Sequence, residues 1–166
     1  ALTAGVFTAT TDSSTIDAQT IETALEAGTN ITINTGTGGA QDGDITVNEA
    51  ILVDAGTPTV TLTLNAADDI SVNQSITSSS GTLGVVLNAN TTAGGTNDDG
   101  NTAAGNVTIG ASITTNGGNF TSTGVNLLYT AGTITTGAGN ATINHTGTVA
   151  LAPLSIGGTL QVTAAG

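Results

Sequence analysis

The fold of this chain is decided by a stretch that reads Gly43-Asp44-Ile45-Thr46-Val47-Asn48-Glu49-Ala50-Ile51. A small polar residue precedes an apolar–hydroxyl–apolar triplet, and another small polar residue and a further apolar position follow it. Successive side chains of a strand point to opposite faces, so Ile45 and Val47 are predicted to face a core and Thr46 to face away from it. A three-residue strand cannot bury its apolar side alone, so this strand needs stacked neighbours.

Variants of this phrase recur along the chain. They are Asp69-Ile70-Ser71-Val72-Asn73-Gln74-Ser75-Ile76, Asn106-Val107-Thr108-Ile109-Gly110-Ala111-Ser112-Ile113 and the weaker Asn140-Ala141-Thr142-Ile143-Asn144-His145-Thr146. Stacked copies of such a unit bury one continuous core. The repetition therefore predicts a single all-β domain over residues 1–166, built as a parallel β-helix, or β-solenoid.

The length of one coil follows from a set of marker residues, one for each turn of the solenoid. The markers chosen are Ile31, Val60, Leu83, Phe120, Ala141 and Leu160. Residues 91–105 contain no Ile, Val or Leu and are predicted to form a surface loop excursion. Without that excursion the repeat is about 20–23 residues, enough for three short strands and three turns. An antiparallel β-sandwich is the alternative, although its hairpin turn signals are few.

One segment has the periodicity of a helix. Ile16, Ile21 and Leu25 recur at near-helical spacing between Ser14 or Thr15, either of which can cap the start, and Gly28, which can end it. We predict one short helix over residues 15–28, with Glu22 and Glu26 on a solvated face. At the start of the chain it is the element able to cover an end of the solenoid.

Composition excludes several classes of partner. The chain has no Lys or Arg and 12 acidic residues, for a formal net charge of −12. Without basic residues it cannot neutralise phosphates, so nucleic acid and anionic membrane surfaces are not expected partners. No apolar run predicts insertion into a membrane. The chain also has no Cys, so disulfides and thiolate metal sites are impossible.

Candidate sites in the sequence are few. The oxygen-rich residues Asn97, Asp98, Asp99 and Asn101 are a weak candidate for calcium, with a solvated loop as the favoured alternative. No other cofactor is expected. Asn-x-Ser/Thr sequons provide candidates for glycosylation at Asn30, Asn73, Asn90, Asn106, Asn119, Asn140 and Asn144.

Catalytic chemistry is not expected. The single His145 is predicted to be a surface or turn residue, since no nucleophile or carboxylate motif accompanies it. The adjacent pairs Asp68-Asp69 and Asp98-Asp99 would point to opposite faces of a strand and make poor acid/base pairs. We therefore predict a protein that is not an enzyme.

The first half of the chain resembles the solenoid segments of filamentous-haemagglutinin-type adhesins of two-partner secretion systems and their autotransporter relatives. The similar residues are Thr20-Ile21-Glu22-Thr23-Ala24-Leu25-Glu26-Ala27-Gly28-Thr29-Asn30-Ile31-Thr32-Ile33, then Gly43-Asp44-Ile45-Thr46-Val47-Asn48 and Thr61-Leu62-Thr63-Leu64-Asn65-Ala66. The resemblance covers roughly residues 15–77 and implies a right-handed parallel β-helix shaft that is secreted and has no active site. Such adhesins usually contain Lys and Arg, which this chain lacks.

These observations together predict a structural role. We expect an extracellular or cell-surface fibre, of the kind found in biofilms, whose subunits join end to end through β-strand pairing, so that the partner is another copy of the chain. The C-terminal stretch Gly158–Thr163 ends on a strand, so we expect the chain to continue or to pair with another copy. The alternative is a shaft segment of one large adhesin whose host or cell-surface ligand binds elsewhere. Ice binding is a minor alternative. Thr59, Thr61 and Thr63 alternate outward, which favours it, but the Thr pattern does not repeat regularly, which disfavours it.

Overall fold

The computed structural model describes residues 2–36, 43–56, 58–90 and 105–165. These residues form one helix and sixteen short strands: β1 Val6–Thr8, α1 Ala18–Glu26, β2 Ile31–Asn34, β3 Ile45–Val47, β4 Ile51–Val53, β5 Thr59–Asn65, β6 Ile70–Val72, β7 Ile76–Ser78, β8 Thr82–Asn88, β9 Val107–Ile109, β10 Ile113–Thr114, β11 Phe120–Gly124, β12 Leu127–Tyr129, β13 Ile134–Gly137, β14 Ala141–His145, β15 Leu154–Ile156 and β16 Leu160–Ala164. The predicted loop at residues 91–105 lies outside the described residues, apart from the buried Gly105.

The strands form three parallel sheets that run the length of the molecule. Sheet 1 has the order β1-β2-β5-β8-β11-β14-β16, sheet 2 the order β15-β13-β10-β7-β4, and sheet 3 the order β12-β9-β6-β3. All pairings between these strands are parallel. Along the chain, successive strands belong to sheet 1, then to sheet 3, then to sheet 2, after which the next turn begins. The protein is a β-solenoid of about 6 turns, as predicted, and the antiparallel sandwich is wrong.

The register of sheet 1 differs in part from the predicted set of markers. Ile31 lies opposite Leu62, which in turn lies opposite Val85. Val85 pairs with Phe120, and the column continues through Ala141 to Leu160. Val60 and Leu83 pair with each other as predicted, but they belong to the adjacent inward column. A shift of two residues keeps every apolar side chain on the inner face, so the pattern alone could not distinguish the two registers.

The core is the apolar interior between the three sheets. Strands alternate buried and less buried residues, and Ile45, Val47 and Ile51 of the deciding stretch are all buried. The largest fully buried side chains include Phe120, Leu62 and Ile70. Each turn contributes only a few apolar side chains, so each depends on its two neighbours for burial.

Polar side chains on the outside also stack in register. In sheet 1 the Asn65 amide donates to Asn34 Oδ1 at 2.9 Å, and the Asn88 amide donates to Asn65 Oδ1 at 2.8 Å. Thr123 continues the column with a hydroxyl bond of 2.8 Å to Asn88 Oδ1. We call this row of residues 34, 65, 88 and 123 the Asn ladder. It holds successive turns together outside the apolar core.

The helix is shorter than predicted and begins at a different residue. The N-cap of α1 is Asp17, whose carboxylate accepts from the Thr20 backbone N–H at 3.3 Å, and neither Ser14 nor Thr15 caps it. Ile21 and Leu25 are buried, and the helix packs on β4 at the end of sheet 2. Within the described part of the chain, no helix has the length and apolarity to cross a membrane.

Candidate functional site at the two ends of the solenoid

The beginning of sheet 2 is closed by two carboxylates from α1. Glu22 Oε1 accepts from the Leu52 backbone N–H at 2.8 Å. Glu26 Oε1 accepts from the backbone N–H groups of Asp54 and Ala55, both at 3.1 Å. The predicted solvated face for these two acids is therefore wrong: both are half-buried and replace the strand that would otherwise precede β4. The signal in the sequence was their position directly after Ile21 and Leu25, the two buried residues of the helix.

The beginning of sheet 1 is partly closed by a tight turn. Val6 of β1 exchanges two backbone hydrogen bonds with Thr3, at 2.9 and 3.0 Å, which occupy the outer edge of β1 at Val6. Gly5 in this turn has φ +81, and a Cβ there would collide with the carbonyl oxygen of Asn30. Glycine is therefore required for the turn to lie against the first coil.

At the beginning of sheet 3, no described strand pairs with the outer edge, although Ser14–Ala18 line the cavity beside it. β3 is the end strand of its sheet and pairs only with β6 among the described strands. The Ile45 N–H donates to Asp69 and the Val47 carbonyl accepts from Asn73, both on the β6 side. Alternate residues of a parallel strand bond to opposite neighbours, so the N–H and C=O of Thr46 point toward the open end.

A cavity lies beside this open strand. Its volume is about 460 Å³, and its apolar lining includes Phe7, Ile33 and Val47. Asp44 and Glu49, both exposed, contribute to the wall. We call this cavity, together with the free edge of Thr46, the β3 groove. Its volume falls within the range of about 300–1,000 Å³ typical of binding sites.

The opposite end of the solenoid exposes core-type side chains. β16 is the last strand of sheet 1, and all five of its residues are exposed. Leu160 and Val162 are aligned with the fully buried Ala141 and Ile143, yet they are 43% and 41% exposed. In the described part of the chain no element covers the outer edge of β16, which is a template for pairing with another strand.

Charge is distributed unevenly between the two ends. All the acidic residues lie between Asp12 and Asp99, and residues 105–165 contain no Asp, Glu, Lys or Arg. The end that carries α1 and the β3 groove is therefore acidic, while the turns from β9 onward are uncharged. The acids in the first part have structural partners as well: Asp69 Oδ1 accepts from the backbone N–H groups of Gly105 and Asn106 at 3.0 and 2.6 Å. Asp68 is buried.

His145 lies inside the solenoid, so its predicted surface position is wrong. Its side chain is 1% exposed, and Nε2 lies 2.9 Å from Ser122 Oγ, on the neighbouring turn. Nδ1 is buried and has no hydrogen-bond partner among the residues that the structure describes, and burial lowers the pKa of the imidazole below its ordinary value of 6.5. His145 occupies an inward position of β14 after Ala141 and Ile143, and this alternation is the signal that could have placed it.

The predicted calcium and glycosylation sites differ in whether they lie among the described residues. The calcium candidates Asn97, Asp98, Asp99 and Asn101 lie outside the described residues, as does the pair Asp98-Asp99. Among the described residues, no cluster of His, Asp or Glu has the arrangement of a metal site. Six of the sequon residues are exposed: Asn30, Asn73, Asn90, Asn119, Asn140 and Asn144. The seventh, Asn106, is half-buried, and its amide is engaged by Asp69 and Asn126.

Comparisons with protein-family models, with curated proteins and with solved structures found no match. The resemblance to filamentous-haemagglutinin-type adhesins therefore depends on the residues quoted above and on the solenoid architecture.

Proposed function

We propose that this chain is a non-enzymatic structural subunit of an extracellular filament, in which copies join end to end through β-strand pairing. One observation carries the proposal: among the described residues no further strand pairs with the outer edge of β16, where Leu160 and Val162 are 43% and 41% exposed. Inward-facing apolar side chains at an open edge favour the addition of another strand. The resemblance to secreted adhesin shafts supports the extracellular location.

The test is whether the purified chain assembles. We expect sedimentation to show mass that increases with protein concentration, and electron microscopy to show filaments with a regular subunit repeat. A chain that stays at 15.9 kDa at all concentrations, with no filaments in the images, would overturn the proposal.

The alternative function is that of a shaft segment within one large secreted adhesin. The three sheets continue in one direction without interruption of their parallel pairing, and this architecture suits a long shaft as well as a short subunit. Intact-mass measurement of the native polypeptide distinguishes the two functions. A native chain near 15.9 kDa supports the subunit, and a far heavier native chain supports the shaft.

A second candidate function is binding to ice, and the register of the outer faces favours it. Thr77, Thr114 and Thr135 form one aligned column on sheet 2. On sheet 1, Thr121 and Thr142 are likewise aligned. The predicted irregularity holds for the threonines named from the sequence, since Thr61 lies opposite Gly84 and Thr63 opposite Val86. It does not hold for the column on sheet 2, which coils of unequal length hide in the linear sequence.

Threonine is also a good residue for any exposed strand, so the deciding test of this function is the thermal hysteresis of the purified protein. A hysteresis that is abolished by Thr114→Lys and retained in Thr108→Lys, on sheet 3, would support it. An ordinary freezing point without hysteresis would reject it.

A further inference from the structure

We propose that the β3 groove binds a small amphiphilic cation, that is, a molecule with an alkyl chain and an ammonium head group. The alkyl chain lies against the end of the apolar core, and the head group lies beside the carboxylates of the rim. The site belongs to a single copy of the chain, so this inference goes beyond the proposed function and does not depend on assembly.

The inner wall of the groove is the end of the apolar core. Ile33, Ile45 and Val47 line it, with exposures of 6%, 9% and 7%. In the next turn Ile70 and Val72, which lie opposite Ile45 and Val47, are both fully buried. The first turn therefore keeps a small apolar surface toward the groove, and an alkyl chain placed there removes that surface from water.

The outer wall of the groove comes from the chain itself. Residues Ser14–Ala18, which precede and begin α1, line the groove. Phe7 and Ile16 also line it, and both are partly buried side chains that pack against the core. The groove is therefore a space of about 460 Å³ between the core and a cover made by the same chain. Such a space suits a small molecule, which loses contact with water on two sides when it enters.

The rim of the groove is negatively charged. Asp17, Asp44 and Glu49 line it, and all three side chains are exposed. Asp17 accepts from the backbone N–H of Thr20 and Asp44 from that of Asp69, at 3.3 and 3.1 Å. Because these donors are uncharged, they do not cancel the charges of the two carboxylates. The chain has no Lys or Arg that could neutralise them, so the rim attracts a cation and repels an anion.

The apolar wall and the acidic rim together select the class of ligand. A carboxylate or phosphate compound would bring its own negative charge to the rim. A bare metal ion would make no use of the apolar wall, and the described residues hold no cluster with the arrangement of a metal site. An alkylammonium ion satisfies both surfaces, since its methylene groups contact the core and its ammonium group stays partly hydrated beside the carboxylates.

Isothermal titration calorimetry with n-octylammonium as the probe tests the proposal. We expect saturable binding of one octylammonium ion per chain. Each buried methylene group contributes about fourfold to the affinity, so n-hexylammonium should bind about fifteenfold more weakly. Octanoate has a similar apolar length and the opposite charge, and it should not bind at the same concentrations.

Two variants each change one feature of the groove. Ala18→Leu adds bulk to a residue that lines the groove and should weaken octylammonium binding by about tenfold or more. Ala27→Leu is its control, because it adds the same atoms at an exposed position outside the lining. Glu49→Gln removes a charge from the rim and should weaken binding about two- to fivefold. Asp54→Asn is the matched control for charge, because Asp54 is exposed and does not line the groove.

Three outcomes would overturn the inference: the absence of saturable binding, equal binding of octylammonium and octanoate, and unchanged binding by Ala18→Leu. Equal losses for Glu49→Gln and Asp54→Asn would also overturn it, because binding would then depend on net charge and not on the rim. Thermal unfolding followed by circular dichroism identifies a variant that does not fold. Thr46→Leu, which adds bulk from an exposed position of β3 that lines the groove, then replaces Ala18→Leu in the test.

Discussion

The Oε1 oxygen of Glu22 lies 2.8 Å from the backbone nitrogen of Leu52 and accepts its hydrogen bond. Glu26, one helical turn later, does the same for two backbone N–H groups of the following turn. Two acidic side chains therefore satisfy the edge of a sheet that would otherwise be open to pairing. The helix therefore closes the end of sheet 2 in two ways: it packs over the sheet, and its carboxylates accept hydrogen bonds from the backbone of the edge.

Glu26→Ala should destabilise the fold by about 1 kcal/mol, because two backbone N–H groups lose a charged acceptor at a half-buried site. Glu26→Gln, which keeps the accepting oxygen, should lose less. Urea unfolding followed by circular dichroism measures both. Glu49→Ala is the control, since Glu49 is exposed and its loss should change the free energy of unfolding by no more than about 0.5 kcal/mol. Equal losses for Glu26→Ala and Glu49→Ala would show that the helix closes the sheet without these bonds.

Leu62→Ala should cost about 2–5 kcal/mol, because Leu62 is fully buried between turns and its truncation leaves a cavity. Leu128→Ala removes the same atoms from a side chain that is 40% exposed and should cost much less. Both changes in the free energy of unfolding are obtained from the midpoints of urea unfolding curves whose slope against urea concentration is unchanged. A cost for Leu128→Ala as large as that for Leu62→Ala would contradict the assignment of inner and outer faces.

Asn65→Ala should destabilise the protein by about 1–2 kcal/mol, since it leaves Asn34 without a donor and Asn88 without an acceptor in the Asn ladder. Asn144→Ala provides the comparison, because Asn144 is exposed and lies near the end of the same outward column, opposite Thr123. Thermal unfolding should separate the two variants by several degrees. Coincident melting curves would mean that the hydrogen bonds of the Asn ladder contribute little to the stability of the fold.

Acidification should destabilise the fold through His145. Burial lowers the pKa of the folded imidazole, so the unfolded chain binds the proton first as the pH falls. The contribution of neutral His145 is fully present above about pH 6.5 and decreases below that value as the pH approaches the lowered folded pKa. No Asp or Glu on β11, β14 or β16, which surround His145, offsets the new charge.

His145→Gln should reduce this dependence, so its unfolding free energy should fall less between about pH 6.5 and pH 5, above the range where carboxylates titrate. The measurement is a series of urea unfolding curves for both proteins across that interval. Identical slopes for the two proteins would contradict the predicted role of His145. NMR titration of the imidazole provides an independent value for the folded pKa.

The regular part of the fold was predictable because it depends on a local pattern. Ile45, Val47 and Ile51 alternate with polar residues, and a period of two admits only one choice of inner face. The pairing of Ile31 with Leu62 was not predictable, since a shift by two residues buries the same kinds of side chain. Because the coils differ in length, the linear sequence also does not show which threonines align on neighbouring turns.

The sequence by itself determined the parallel solenoid and one short helix near its start, while the exclusion of partners that need basic residues stays a prediction from composition. These follow from alternation, repetition and composition, which act locally or over the whole chain. Only the tertiary structure decided that Glu22 and Glu26 cap β4, that His145 is buried beside Ser122, and that Thr46 lines a cavity with Phe7. Each of these depends on residues that are 20 or more positions apart in the chain. Their meeting is set by how one coil stacks on the next, which no short stretch of sequence encodes.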